Sequence, residues 1–541
     1  MEDAVSNSRY GRYDSLLENF EDNEPDRIIF DPGSEIGETY LDSASFEIIE
    51  IESLVNTFDQ PQLKLGKIAL YRALTNPSMK ADEIIHRQEG LRELSENSEL
   101  RDDFIELIDD IEEHEEGLFD LMWGRFVGFS SPDSRYTRDR SGYGYEAFKH
   151  SRDFFLAVQK KSLSITQPKT PFLQSILDDL KLVNTNRTSK LIVEGAYLSE
   201  KKALLKEEKK WWTPAYRFKP SIFRPIIFAV LMLVIWSIFS YFSQVHGGLD
   251  SAIGPMILLM VFPLFFLTIV MIGSFDRDQF IAPLGKKLRK EPEMQSVLDA
   301  LAEIEILLTH DKFAQQFPGN VCLPTIIEAD QHQLTVENLW NAPIGTANGT
   351  YVGNDISLTN ERINFITGPN SGGKTALCKT LCQAQILGQS GGYVPAAKMS
   401  LSVVKHIFYQ APEAGSLDSA QGRFATELQR TRDIFFNCKE PCLVVLDEPF
   451  EGTSVEERLE ITAQVLDGFI RTGASILFIT HNFSLVHLYK EKSIGQFLET
   501  VFENNTFTYR FKEGIASTSH ADRVVEKLGF SMKDIENHLN K

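Results

Sequence analysis

The segment ITGPNSGGKTALCKT, residues 366–380, decides the fold of the second half of this 541-residue chain. It contains the pattern G-x-x-x-x-G-K-[ST], follows the apolar run 363–366 and precedes a helix-like run. Glycine-rich loops between a strand and a helix wrap closely round phosphates, and their backbone N–H groups point at the anion. The lysine of the pattern reaches the β- and γ-phosphates, and the hydroxyl after it ligates Mg²⁺. We therefore expect ATP and Mg²⁺ as cofactors, bound by Gly368, Pro369, Asn370, Ser371, Gly372, Gly373, Lys374, Thr375 and Ala376.

Two further apolar runs supply the polar partners that such a loop needs. Residues 443–446 read as a strand buried on both faces of a parallel sheet, and Asp447 and Glu448 follow it. Ligands of open α/β sheets bind at the carboxyl ends of the strands, so these acids should lie beside the loop. We expect Asp447 to join Thr375 at the metal and Glu448 to orient the attacking water. A second buried run, 475–479, leads to His481, which we expect at the γ-phosphate with Lys374 as the third catalytic residue.

Four segments in the second half resemble the ATPase motifs of the MutS family: TGPNSGGKT, GRFATEL, LVVLDEPFEGTS and LFITHN. The resemblance implies a homodimer with two composite ATP sites. It implies that Gly452, Thr453 and Ser454 form the loop that crosses the dimer interface. It also implies a signature that meets the γ-phosphate of the opposite subunit, at Ser419, Gly422, Arg423 and Glu427.

The resemblance extends to residues 38–120, which look like the first helices of the family's helical core. The expected organisation has five parts. They are a polar acidic segment (1–37), a helical core (38–210), a membrane hairpin (211–281), a returning lever helix (282–320) and a P-loop ATPase domain (321–541). The short segment before residue 38 has no room for the family's mismatch-recognition and connector domains, so we expect both to be missing.

The predicted fold class is thus α plus α/β, with a transmembrane hairpin between the helical region and the ATPase domain. Residues 223–242 and 253–275 are almost wholly apolar, and each is long enough for the ~20 residues that cross a bilayer. Lysines and arginines flank both runs, and the loop between them has none. By the positive-inside rule, this pattern predicts a multi-pass protein of the cytoplasmic membrane, with both termini cytoplasmic and lipid as a partner. The hairpin would take the place of the family's DNA clamp and receive the movement of the levers.

Two classes of function stay open on these grounds. The first is a MutS-like ATPase that still acts on mismatched or branched DNA. The second is a nucleotide-driven machine that works on a membrane or protein partner and no longer binds DNA. The formal net charge of −21 argues against a generic nucleic-acid-binding surface, which is normally basic. DNA therefore remains a possible partner that the sequence does not prove.

Overall fold

A computed structural model of the chain provides the structure. It describes residues 36, 39–133, 138–199, 202–212, 214–224, 229–230, 232–237, 240–241, 253–359, 361–369, 372–412, 420–438, 441–450, 455–472, 474–503, 506–516, 532 and 538–539. Within them, the chain is a mixed α/β fold: a helical region comes first, and a sheet-based region follows.

The helical region is built mainly from amphipathic helices whose apolar faces meet in one core, whereas α9 is apolar on all sides. The helices are α1 (Ser43–Ile49), α2 (Ile51–Val55), α3 (Lys64–Thr75), α4 (Ala81–Glu96), α5 (Ser98–Trp123), α6 (Tyr145–Ser164), α7 (Pro171–Thr185), α8 (Arg187–Val193), α9 (Ile253–Asp276), α10 (Ala282–Leu288) and α11 (Pro292–Gln316). A π-helical turn, Arg277–Ile281, joins α9 to α10. Local sequence sets several helix starts. Asn97 accepts from the Leu100 N–H at 3.2 Å before α5, and Pro171 opens α7, where its missing N–H costs no bond.

Short strands accompany these helices, and longer ones form the second region. The strands are β1 (Arg125–Phe126), β2 (Asp139–Arg140), β3 (Tyr197–Ser199), β4 (Lys202–Leu204), β5 (Tyr216–Arg217), β6 (Thr325–Ile327), β7 (Leu334–Leu339), β8 (Asn354–Leu358), β9 (Ile363–Thr367), β10 (Lys398–Ser402), β11 (His406–Gln410), β12 (Cys442–Asp447), β13 (Ser475–Ile479), β14 (Gln496–Glu503) and β15 (Thr506–Glu513). The helices of this region are α12 (Ala342–Asn348), α13 (Lys374–Gln389), α14 (Ala420–Asn437), α15 (Val455–Phe469) and α16 (Phe483–Glu491).

A six-stranded sheet in the order β11-β12-β13-β9-β14-β15 organises the second region. The pairs from β11 to β14 are parallel, and β15 closes the edge antiparallel to β14. Every residue of β9, β12 and β13 is buried, because helices cover both faces of the sheet. This burial explains why these strands read as continuous apolar runs in the sequence. It also places their carboxyl ends side by side.

Helix α13, which follows the glycine-rich loop, is bonded directly to the helical region. The Gln383 side chain donates to the Ile49 carbonyl at 2.8 Å, and the Gln389 side chain donates to the Ser78 carbonyl at 3.1 Å. From the opposite direction, Arg87 of α4 donates to the Ser390 carbonyl, which caps α13, at 2.8 Å. Hydrogen bonds through α13 therefore connect the glycine-rich loop to the helical region.

The structure corrects the predicted membrane hairpin. Among the described residues, no helix combines the length and the apolar character needed to pass through a membrane. The predicted spans 223–242 and 253–275 are therefore wrong, and so is the fold class that included them. The predicted membrane localisation and topology depended on these spans and are wrong as well. The lipid partner and the lever-driven hairpin lose their support.

Packing accounts for part of the apolar character that suggested the second span. The side chains of α9 are described at Pro263 and from Phe265 onward. The Phe266 ring stacks on Phe129 with centroids 5.4 Å apart, and a Cβ on Gly273 would lie 2.5 Å from the Tyr143 ring. At the end of the helix, the buried Asp276 accepts from Tyr145 Oη at 2.6 Å and pairs with Arg224 at 2.5 Å. These last turns are held by the helical region.

Candidate active site

The residues predicted to bind the nucleotide meet at the carboxyl edge of the six-stranded sheet. The glycine-rich loop leaves β9 and enters α13, Asp447 ends β12, and His481 follows β13. Because β9, β13 and β12 are neighbours in the sheet, all three strand ends open onto one place. The sequence-based prediction of the site is therefore consistent with the topology.

Backbone conformation and close packing explain the glycines of the loop. Gly368 has φ +136° and Gly373, the N-cap of α13, has φ +87°, values that residues with a side chain rarely adopt. A Cβ on Gly368 would lie 2.1 Å from Thr500 Oγ1, and one on Gly372 would lie 2.8 Å from Thr500 Cγ2. The loop thus rests on β14 with no space for side chains. Pro369 is buried, whereas Asn370 and Ser371 lie outside the described residues.

Lys374 is held at the start of α13 with its ammonium group turned back over the loop. Its Nζ donates to the Gly368 carbonyl at 2.8 Å and lies 3.3 Å from His481 Nε2. Burial lowers the pKa of Lys374, and the nearby carboxylates of Glu448 and Asp447 oppose that shift. A cation in this position neutralises phosphate oxygens bound in the loop. Ala376, two residues further, uses its carbonyl to accept from Thr380 Oγ1 at 2.6 Å and belongs to the helix framework.

Thr375 and Asp447 form a direct pair suited to a metal ion. The Thr375 hydroxyl donates to Asp447 Oδ2 at 2.8 Å. Burial raises the pKa of Asp447, the bond from Thr375 lowers it, and the neighbouring Glu448 charge raises it. A bound divalent cation would stabilise the ionised form. The hydroxyl and carboxylate oxygens fit the hard-oxygen preference of Mg²⁺, which binds proteins through one or two such groups beside phosphates.

Glu448 and His481 complete the polar edge. His481 Nε2 lies 2.8 Å from Glu448 Oε1 and also within reach of Lys374. The same nitrogen donates to Glu448 when protonated and accepts from Lys374 when not, so the tautomer selects the partner. Glu448 has φ +48°, and its N–H donates to the Ile479 carbonyl at 3.0 Å. A strained backbone that its surroundings hold in place is a common feature of functional positions.

The residues that the family resemblance assigns to the dimer interface are only partly described. Glu427 lies on α14, and its Oε2 accepts from the Phe450 N–H at 2.7 Å. Gly422 and Arg423 lie on the same helix, but their side chains are outside the described residues. Ser419, Gly452, Thr453 and Ser454 are also outside them. The predicted roles of these residues stay predictions.

Two residues of the site escaped the sequence analysis. Tyr409, buried near the end of β11, lies close enough to Asp447 to lower the pKa of that carboxyl, although its hydroxyl makes no hydrogen bond to a described residue. Thr500 of β14 supports the loop glycines from below. The apolar run of β11 was a signal for Tyr409, because a third parallel strand must also end at this edge. No local signal marks Thr500.

Comparison with known proteins follows the same part of the chain. Residues 364–540 match the family MutS domain V. Over 275 residues the chain is 30% identical to the human DNA mismatch repair protein Msh3, covering 44% of this chain and 24% of that protein. Over 271 residues it is 30% identical to the DNA mismatch repair protein MutS of Shouchella clausii, covering 47% and 31%. Mouse Msh3 is 30% identical over 253 residues, covering 42% and 23%. The matched part is thus less than a third of the length of these relatives.

Proposed function

We propose that this chain is an ATPase of the MutS type that binds ATP with Mg²⁺ and hydrolyses it, a proposal supported by the match of residues 364–540 to MutS domain V and by the similarity to a MutS protein. The observation that carries the proposal is the pair of contacts at the sheet edge. Thr375 is bonded to Asp447, and His481 joins Glu448 to Lys374. Each residue type and each distance suits phosphoryl transfer to water.

The roles follow from these positions. The backbone of residues 368–373 and the Lys374 ammonium group hold the β- and γ-phosphates. Thr375 and Asp447 hold Mg²⁺, which neutralises charge on the phosphates when bound. Glu448 accepts a proton from the attacking water and orients it. His481 contacts the γ-phosphate, which would draw its Nε2 away from Glu448.

A homodimer with shared sites is part of this proposal. In it, the loop Gly452–Ser454 and the signature around Arg423 and Glu427 approach the nucleotide of the opposite subunit. Mixing an inactive Glu448→Gln subunit with an inactive Arg423→Ala subunit tests this arrangement. Recovery of hydrolysis in the mixture supports composite sites, because one of the two sites then carries neither substitution. No recovery in a mixture shown to contain heterodimers contradicts them.

The relatives are named as DNA mismatch repair proteins, which makes DNA the first partner to test. Binding to homoduplex, mismatched and branched DNA across a salt series, with and without ATP, is the measurement. Phosphate contacts give binding that weakens steeply with salt. Absence of binding at low salt would favour the alternative of a nucleotide-driven machine acting on a protein partner, as the net charge of −21 also does.

The ATPase itself is tested by removing one metal ligand. We expect Mg²⁺-dependent hydrolysis in the unmodified protein, loss of it on chelation, and strong impairment in Asp447→Asn. The matched control is Asp330→Asn, at an exposed position remote from the sheet edge. Equal rates in the two variants, or no hydrolysis by the unmodified protein, would overturn the proposal.

A further inference from the structure

A cavity of about 320 Å³ opens behind the catalytic edge of the sheet. It lies between the ends of β12 and β13, helix α15 and the first turn of α16. Its polar lining consists of Glu448, Arg458, Thr462, Thr480, His481, Asn482 and Ser484. Glu448 and His481 already belong to the proposed active site, whereas the two residues on α15 have no role in it.

Two residues of α15 that line this cavity carry polar atoms without a hydrogen-bond partner in the described part of the chain. Arg458 Nε and Thr462 Oγ1 are buried and make no hydrogen bond to any described residue. Thr462 is 3% exposed. Residues four apart share one helix face, so a donor and an acceptor lie one turn from each other. Buried polar atoms without partners are rare, and a long arginine side chain normally reaches solvent. Because Arg458 and Thr462 line the same cavity as Glu448, we expect a second state in which Arg458 Nε and Thr462 Oγ1 form hydrogen bonds.

The contacts of Glu448 indicate which state that is. His481 now supports its carboxylate at 2.8 Å, and Lys374 lies 3.3 Å from the same imidazole nitrogen. This inference rests on the proposed function, in which the γ-phosphate of bound ATP contacts both Lys374 and His481. Glu448 would then lose the imidazole contact at the moment when it must orient water.

We propose that Arg458 is a positioning residue that holds the Glu448 carboxylate across the cavity when ATP is bound. The guanidinium group donates to Glu448, and its Nε–H donates to the Thr462 hydroxyl. Both orphaned atoms of α15 gain a partner in this arrangement, and Glu448 keeps one oxygen for water. Arg458 thus acts through Glu448 and does not touch the nucleotide.

The test compares steady-state hydrolysis and binding of a fluorescent ATP analogue in the full chain. The variants are Arg458→Gln, Arg458→Lys and Thr462→Val, which keeps the shape of threonine. The control is Arg471→Gln, at an exposed arginine just after α15. Misplacing a catalytic group reduces stabilisation of the transition state more than it reduces affinity for the substrate. We therefore expect Arg458→Gln to lower kcat about tenfold or more and to change KM less than about twofold. Arg458→Lys should recover part of the rate, and Thr462→Val should lower kcat less than Arg458→Gln.

The outcomes separate this inference from the proposed function. If Glu448→Gln abolishes hydrolysis while Arg458→Gln behaves like Arg471→Gln, the positioning role is wrong and the ATPase stands. An increase in KM with unchanged kcat would also contradict the role, since it would place Arg458 in binding. If Glu448→Gln has no effect, the ATPase assignment itself fails. Thermal unfolding of each variant shows whether a lost rate comes from a damaged fold.

Discussion

His481 Nε2 lies 2.8 Å from Glu448 Oε1, while Lys374 Nζ approaches the same nitrogen at 3.3 Å. The Glu448 carboxylate, which follows β12, is therefore held by the His481 imidazole, and a bound γ-phosphate would contact the same imidazole. In the proposed mechanism, this relationship would link the binding of ATP to the freedom of the carboxylate that orients water.

Replacing Glu448 with glutamine should separate binding from hydrolysis. The amide keeps the shape but accepts no proton, so we expect kcat to fall by about 10²–10⁴-fold, the usual contribution of a general base. Affinity for ATP should stay close to that of the unmodified protein. Glu503→Gln, at the exposed end of β14, is the control in the same rate and binding assays. A rate near that of the control would remove Glu448 from the mechanism.

The glycine-rich loop should not tolerate a methyl group at Gly368. Alanine there would combine a φ of +136° with a contact of 2.1 Å to Thr500 Oγ1, so ATP affinity should fall sharply. We expect the free energy of unfolding to drop by about 1–3 kcal/mol, as for strained or overpacked sites. Gly349→Ala is the control, because its φ of +66° is also positive but the space around it is open. Adding Thr500→Ala should recover part of the loss; no recovery would mean that the strain alone is responsible.

Arg87 should be important for stability without touching the nucleotide. It pairs with the buried Glu303 at 2.5 Å and donates to the Ser390 carbonyl at 2.8 Å. Arg87→Met would leave a buried carboxylate without this cation, a change that costs about 3–5 kcal/mol in comparable pairs. Urea unfolding measures the loss, and Arg92→Met, at an exposed position on the same helix, is the control. Combining Arg87→Met with Glu303→Leu should restore much of the stability, because the unpaired charge is then gone.

Two buried glutamates that face the start of α3, Glu115 of α5 and Glu305 of α11, should make stability depend on pH. Burial raises the pKa of Glu115 to about 7, although the N–H groups of Leu65 and Lys64 oppose it. Burial, reinforced by Glu115, raises the pKa of Glu305 to about 8. Both carboxyls hold protons in the folded state that an unfolded glutamate, with its ordinary value of 4.5, releases earlier. Their contribution to stability is therefore full below about pH 4.5 and is lost as the pH rises through about 7 and 8.

Glu305→Gln tests this pH dependence. In the affected range, stability should fall by up to about 1.4 kcal/mol per pH unit for each group, and the glutamine variant should show a smaller slope. Unfolding by urea at several values between pH 5 and 9 is the measurement. Glu293→Gln, exposed on the same helix, should keep the full slope. An identical slope in both variants would show that Glu305 does not titrate in this range.

Much of the candidate site was predictable, because its signals are local. The loop glycines, Lys374 and Thr375 follow one another in sequence, and Asp447 and His481 each follow an apolar run. A strand and the residue after it are read in one short window, and parallel strands bring such residues to one edge. Thr500 could not be assigned in this way, since its importance depends on which strands are neighbours, and the apolar run of β11 gave only an indirect signal for Tyr409.

The apolar runs show the opposite case. Hydropathy measures what a segment is made of and says nothing about what it packs against. Phe266 stacks on Phe129, which is far away in sequence, and Gly273 lies under Tyr143. Reading both runs as membrane spans was wrong for the described residues, among which no helix has the length and apolar character to cross a membrane.

The amino-acid sequence by itself predicted the glycine-rich loop and its acidic and histidine partners, because these depend on residue type and short spacing. Only the tertiary structure decided which groups share a space with Glu448, and it placed Arg458 and Thr462 there. It also decided the partner of Asp276, the first charged residue after the second apolar run, which pairs with Arg224. The physical reason is the same in both cases. Burial and long-range contacts come from the packing of distant segments, and no short stretch of sequence contains them.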